Sequence, residues 1–217
     1  MSRGGGLFAL LGMKLLILGA TGRIGRELLD LALARGHLVT AYVRTPAKIE
    51  RRDRGLIIER GDALEVDRLT EALIGQDAVV SALGLPARQA LRPSSFMAES
   101  MASTVAAMKR AKVQRLAVVS AAVLFPMRGQ FYGFFRWLLK HHARDLSAME
   151  HLIQATELDW TIARPPRLVS GPEVAPRIVV GGLPARARAI SFRSLAAFLL
   201  DCLEQDHHAR EIVGLAE

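Results

Sequence analysis

The sequence predicts an α/β fold in a single domain, a doubly wound parallel sheet with helices on both faces. Two observations carry this. Short β-branched runs alternate with longer amphipathic stretches along most of the 217 residues, the pattern of strands buried under crossover helices. A glycine-rich turn also follows the first strand and opens a helix, as at the start of a βαβ unit. No self-similar period of about 20–50 residues interrupts the alternation, which excludes a repeat architecture.

Taken in order, residues 1–12 read as a loose extension, and the domain runs from Met13 to Glu217. Lys14–Leu18 is an apolar strand. Ile24–Arg35 is a helix whose inward face holds Ile24, Leu28 and Leu31, stopped by Gly36. His37–Val43 and Leu56–Glu59 are strands, Val66–Ile74 is a helix ended by Gly75, and Asp77–Leu83 is the fourth strand. A helix over Ser94–Lys112 carries alanine and methionine on one side, and Arg115–Ser120 is the fifth strand. The aromatic, glycine-broken stretch Phe125–Trp137 reads as an irregular flap. A helix then ends near Glu157 and a sixth strand covers Trp160–Ala163. From Pro165 the composition turns to Pro, Gly and Arg. A strand at Arg177–Val180 and a helix over Ser194–Gln205 are expected there, within a lid or substrate segment spanning 165–217.

Composition narrows the function classes. A hydrophobic fraction of 51% with 23% charged residues excludes a disordered chain. Lys and Arg number 29 against 21 acids, a net charge of +8 that attracts anions without choosing among them. The basic residues are spread along the chain and lack the aromatic interleaving of single-strand binders, so nucleic acid is not an expected partner. The single cysteine, Cys202, sits in an apolar periodic stretch and excludes an internal disulfide or a multi-cysteine zinc site. The run from Leu7 to Ala20, broken by Gly12 and Lys14, is shorter than the ~20 residues of a membrane helix. The expectation is a cytoplasmic monomer without a membrane anchor.

The chemistry concentrates at strand ends, where open α/β sheets bind their ligands. Gly19-Ala20-Thr21-Gly22-Arg23-Ile24-Gly25 combines glycines, which let backbone approach a diphosphate, with a helix N-terminus that offers free amides. The second strand ends in Val43-Arg44-Thr45, not in the acid that binds a ribose 2′-hydroxyl. Arg44 is followed by Lys48, Arg51, Arg52 and Arg54. This predicts a 2′-phosphate, hence NADP(H) in preference to NAD(H).

These segments, with Gly61-Asp62, Asp77–Gly84, Leu116–Ala121 and Leu158–Pro166, resemble an atypical short-chain dehydrogenase/reductase of the Rossmann-fold NAD(P)-binding group that includes flavin reductase/biliverdin reductase B and NmrA-like proteins. The resemblance spans Met13 to Glu217. It implies that Gly19, Thr21, Gly22, Arg23, Ile24, Gly25 and Arg44 bind the cofactor. By the same resemblance Asp62 and Ala63 flank the adenine, and Ser81, Ala82, Leu83 and Gly84 line the ribose and phosphates. Ser120 would stand by the nicotinamide as an orienting group, and the Arg164-Pro165-Pro166 turn would close over it. Arg167 would face the substrate and suit a phosphate or carboxylate.

One departure sets the expected chemistry. The Tyr-x-x-x-Lys pair of the well-known dehydrogenases is missing; Tyr132 with Arg136 is its nearest imitation and the one candidate acid–base tyrosine. Hydride transfer to a conjugated acceptor needs less from the protein. The sequence therefore points to an NADPH-dependent oxidoreductase acting on an anionic flavin or similar small molecule. The alternative is a non-catalytic, redox-sensing NADP(H)-binding regulator of the NmrA-like type. No metal site is expected. Adjacent residues in His141-His142 and His207-His208 diverge by about 100° on a helix, and Asp145 alone stands at ligand spacing from His141.

Overall fold

The structure is a computed structural model in which residues 12–126 and 139–217 are described. Its centre is an eight-stranded sheet of β1 (Lys14–Leu18), β2 (Leu38–Val43), β3 (Leu56–Arg60), β4 (Ala78–Ser81), β5 (Arg115–Val119), β6 (Asp159–Arg164), β8 (Arg177–Val180) and β10 (Glu211–Ala216). The strand order is β3-β2-β1-β4-β5-β6-β10-β8, and all neighbours are parallel except β8, which runs antiparallel to β10. A separate parallel pair joins β7 (Arg167–Val169) to β9 (Ala189–Ser191). This is the expected Rossmann-like architecture.

Helices cover both faces because the central strands are apolar on both sides. On one face α1 (Arg23–Ala34) packs against α6 (Phe192–Gln205), and Leu28, Leu31, Leu195 and Leu199 join Leu15 and Ile17 in one core layer. On the other face lie α2 (Val66–Leu73), α4 (Phe96–Ala111) and α5 (Lys140–Gln154), whose Leu69, Met101, Met108 and Met149 pack on Leu16, Val79 and Leu116. A four-residue helix, α3 (Ala87–Ala90), leads into α4. No helix among the described residues is long and apolar enough to cross a membrane.

Two differences from the sequence reading have physical causes. The last strand, β10, goes unread because Gly214 breaks its apolar run. In the fold glycine is required there, since a Cβ would come within 1.8 Å of the Gly182 carbonyl oxygen. The segment read as one lid thus contributes β8 and β10 to the central sheet and α6 to the core. Helix α6 also begins at Phe192, two residues before Ser194, because the Ser191 hydroxyl caps it by accepting from the Ser194 amide at 3.0 Å.

Candidate cofactor and substrate cleft

Strand order reverses between β1 and β4, so their connections leave in opposite directions and a crevice opens at their carboxyl ends. The turn after β1 meets the turn after β4 there. Gly19 adopts φ +80°, and a Cβ on it would lie 2.5 Å from the Ala82 carbonyl oxygen. Gly25 lets α1 sit on the strand end, where a Cβ would approach the Gly19 carbonyl oxygen to 2.1 Å. Gly22 and Gly84 differ: Gly84 has nothing within 4 Å of such a Cβ, and Gly22 has only the Gly19 carbonyl oxygen at 3.2 Å.

Gly22 caps α1 without a side chain, and its amide donates to the Gly19 carbonyl at 2.9 Å. The first bond along the helix runs from the Arg26 amide to the Gly22 carbonyl at 2.9 Å. The amides of Arg23, Ile24 and Gly25 therefore lack an intrahelical acceptor, and no acid stands in the first turn. Partial positive charge faces the open backbone of Gly22, which is the arrangement a diphosphate requires.

Two cavities meet at this point, sharing Thr21, Gly22, Ala82, Leu83 and Gly84. The smaller, about 190 Å³, is walled by Tyr42–Thr45, Lys48, Gly61–Ala63 and Phe96. Arg44 and Lys48 are exposed at its edge and have no ion-pair partner among the described residues. Tyr42 forms its floor, packed so closely under Gly61 that a Cβ there would fall 2.0 Å from the phenol oxygen. Burial, reinforced by Glu65 and Glu59, pushes the Tyr42 phenol up to about 12, so it stays protonated. The Asp62 carboxylate accepts from the Leu64 amide at 3.1 Å, which holds the turn after β3 against the cavity.

The larger cavity, about 630 Å³, lies over the ends of β5 and β6. Arg23, Ile24 and Arg26 line the α1 side; Ser120, His142, Leu146, Pro165 and Leu168 line the far side. Arg23 stacks 4.7 Å from the centre of the Phe192 ring. The Ser120 hydroxyl donates to Glu150 Oε1 at 2.5 Å. That carboxylate, 2% exposed, also accepts from Arg164 Nε at 3.0 Å and Nη2 at 2.5 Å. The Arg164 guanidinium lies 4.6 Å over the Phe125 ring. Ser120 is thereby fixed from behind, its proton committed to Glu150.

The cleft thus brings together Gly19, Thr21, Gly22, Arg44, Asp62, Ala63, Ala82, Leu83 and Gly84 in the smaller cavity, and Arg23, Ile24, Ser120 and Pro165 in the larger. Gly25 is buried behind the loop and lines neither. Arg167 is exposed on β7 and does not line the larger cavity; its neighbour Leu168 points in, as strand alternation demands. Tyr132 and Arg136 lie outside the described residues. Sequence reasoning missed Glu150, a mid-helix acid with no motif around it, and passed over His142 as half of a histidine pair. His142 and Leu146 both reach the cavity, four residues apart like the two members of Tyr-x-x-x-Lys, with neither residue type kept.

Comparison with known proteins agrees with this geometry. Residues 19–206 match a family model described as NAD(P)H-binding. An uncharacterized protein of Bacillus subtilis, YwnB, is 38% identical over 110 residues, 51% of this chain and 48% of that protein. The chain therefore matches about half the length of that relative. A Rossmann-fold NAD(P)-binding family protein from Shigella flexneri superposes with a TM-score of 0.75 at 25% identity, covering 94% of this chain and 93% of the other. A short-chain dehydrogenase/reductase from Veillonella parvula, solved with NADP, shares the fold at TM-score 0.75 and 20% identity, covering 94% of each chain.

Proposed function

This chain belongs to a family of NAD(P)H-binding proteins, and from that premise we propose that it is an NADPH-dependent reductase of a flavin or similar conjugated small molecule. One observation carries the reading: two cavities, cationic at one end and largely apolar at the other, join at the open backbone of Gly22 and Gly84. The residues fit a dinucleotide lying across that junction. The free amides opening α1 would take the diphosphate, Arg44 and Lys48 a 2′-phosphate, and Asp62 and Ala63 would flank the adenine. Ser120 and the Pro165 turn would border the nicotinamide. When bound, NADPH supplies the hydride.

The far wall would seat a flat acceptor against Leu146, Pro165 and Leu168, while Arg23 and Arg26 give the α1 rim its positive charge. None of the described residues lining this cavity is a tyrosine, so among them no phenol would carry the proton of an alcohol oxidation. A conjugated acceptor avoids this need, because its ring system holds the charge until solvent supplies a proton.

The test is fluorescence titration with NADPH and NADH, followed by NADPH oxidation with FMN, FAD and quinones as acceptors. Tight NADPH binding with turnover on one of these acceptors supports the reading. Tight binding with no turnover on any acceptor supports the redox-sensing regulator instead.

A further inference from the structure

His142 lines the larger cavity from α5, and its Nδ1 is enclosed with no hydrogen-bond partner among the described residues. A buried polar atom left unpaired calls for an explanation. The explanation begins with the tautomer. Orphaned N–H groups are rarer in protein interiors than under-satisfied acceptors, so we assign the bare Nδ1 as the acceptor nitrogen and the proton to Nε2. Nε2 has no hydrogen-bond partner among the described residues, and with Nδ1 sealed it is the nitrogen left to face the cavity. Burial holds the imidazole below its ordinary range against the opposing pull of Asp145, so the ring is neutral near pH 7. Asp145 itself is occupied: its carboxylate accepts from the Met97 and Ala98 amides at the start of α4, at 3.1 and 3.0 Å.

The wall facing α1 carries two polar side chains, Ser120 and His142, among apolar neighbours. The Ser120 proton is committed to Glu150 at 2.5 Å, so toward the cavity Ser120 can only accept. His142 is then the one side-chain donor on that wall among the described residues.

We propose that His142, through Nε2–H, is the hydrogen-bond donor to a ring carbonyl oxygen of the acceptor, which selects quinone- or flavin-like substrates whose oxygen takes up the negative charge of reduction. This rests on the reductase reading above. In the step, the acceptor ring receives a hydride from the reduced nicotinamide, which is left oxidised. The displaced π pair moves onto the carbonyl oxygen, where His142 stabilises it, and a proton from water completes the reduction. His142 keeps its own proton throughout. Removing a fixed donor aimed at developing charge costs about 100-fold in turnover.

The experiment compares wild type, His142→Phe and His142→Gln with NADPH and menadione or riboflavin, beside NADPH affinity, thermal melts and the ¹⁵N spectrum of the histidines. His142→Phe is expected to lower kcat about 100-fold with unchanged NADPH affinity and melting temperature, while His142→Gln, which keeps an N–H donor, stays within about tenfold of wild type. In the wild-type spectrum at pH 7 His142 should be neutral and protonated on Nε2. A wild type that turns over while His142→Phe keeps its rate overturns this inference alone, as does an Nδ1–H tautomer or an imidazolium at pH 7. A wild type that oxidises no NADPH overturns the reductase reading, and this inference with it.

Discussion

Gly19 and Ala82 touch through bare backbone: a Cβ on Gly19 would stand 2.5 Å from the Ala82 carbonyl oxygen. The glycines of the loop are therefore not equivalent. Gly19 and Gly25 let β1, β4 and α1 converge, while Gly22 and Gly84 keep the space in front of them open.

Gly25→Val should accordingly unfold the protein more than it impairs binding, with a loss of about 3 kcal/mol or more from forced overpacking. Gly22→Val meets one backbone oxygen at 3.2 Å, so it should melt near wild type and lose NADPH binding. Thermal melts beside fluorescence titration separate the two. Full NADPH affinity in a folded Gly22→Val protein would show that the loop is only a turn.

Arg44 follows β2 at the edge of the smaller cavity, exposed and without an ion-pair partner among the described residues. A charge-assisted contact to a 2′-phosphate contributes about 1.5–3 kcal/mol. Arg44→Asp should thus weaken NADPH binding roughly 10- to 100-fold, leave NADH nearly unaffected, and abolish or reverse the preference. Equal affinity of the unmutated protein for both cofactors would refute the assignment.

Glu150 and Arg164 form a buried pair, with side-chain exposures of 2% and 13%. Removing one partner strands the other's charge, at a cost of about 3–5 kcal/mol, whereas replacing both with apolar groups is often nearly neutral. Arg164→Met should therefore be markedly destabilising, and adding Glu150→Leu should recover most of the loss. Denaturant unfolding of the single and double variants measures this. A double variant no more stable than Arg164→Met would remove the buried charge as the cause.

Acid should weaken the protein partly through Glu204. Burial alone would raise this carboxyl, but hydrogen bonds from His37 at 2.7 Å and Arg35 at 3.0 Å outweigh it and hold the group below its ordinary value of 4.5. A depressed carboxyl contributes stability that is complete above that ordinary value and is lost as pH falls through the folded one. His37 ties the effect to the sheet, since its Nδ1 accepts from the Met13 amide at 2.9 Å. Glu204→Gln should flatten the decline of melting temperature below pH 4.5 relative to wild type. An unchanged acid slope would place the titrating groups elsewhere.

The sequence by itself determined the parallel sheet, the glycine loop between strand and helix, and the basic end of β2, because each is a local pattern. Alternation of apolar runs, a turn that tolerates φ +80° at Gly19 and a cluster of like charges are all written in adjacent residues. Tertiary structure alone decided which glycines are structural and which stand open to the cleft. The difference between Gly25 and Gly22 is the distance to one backbone oxygen. It likewise decided that Glu150, 30 residues from Ser120 along the chain, holds that hydroxyl, and that Leu168, not Arg167, enters the cavity. His142 shows the limit most clearly. In the sequence it is one of two adjacent histidines, and only the packing of α5 on α4 and β6 sets which ring faces the cleft and which of its nitrogens is sealed from water.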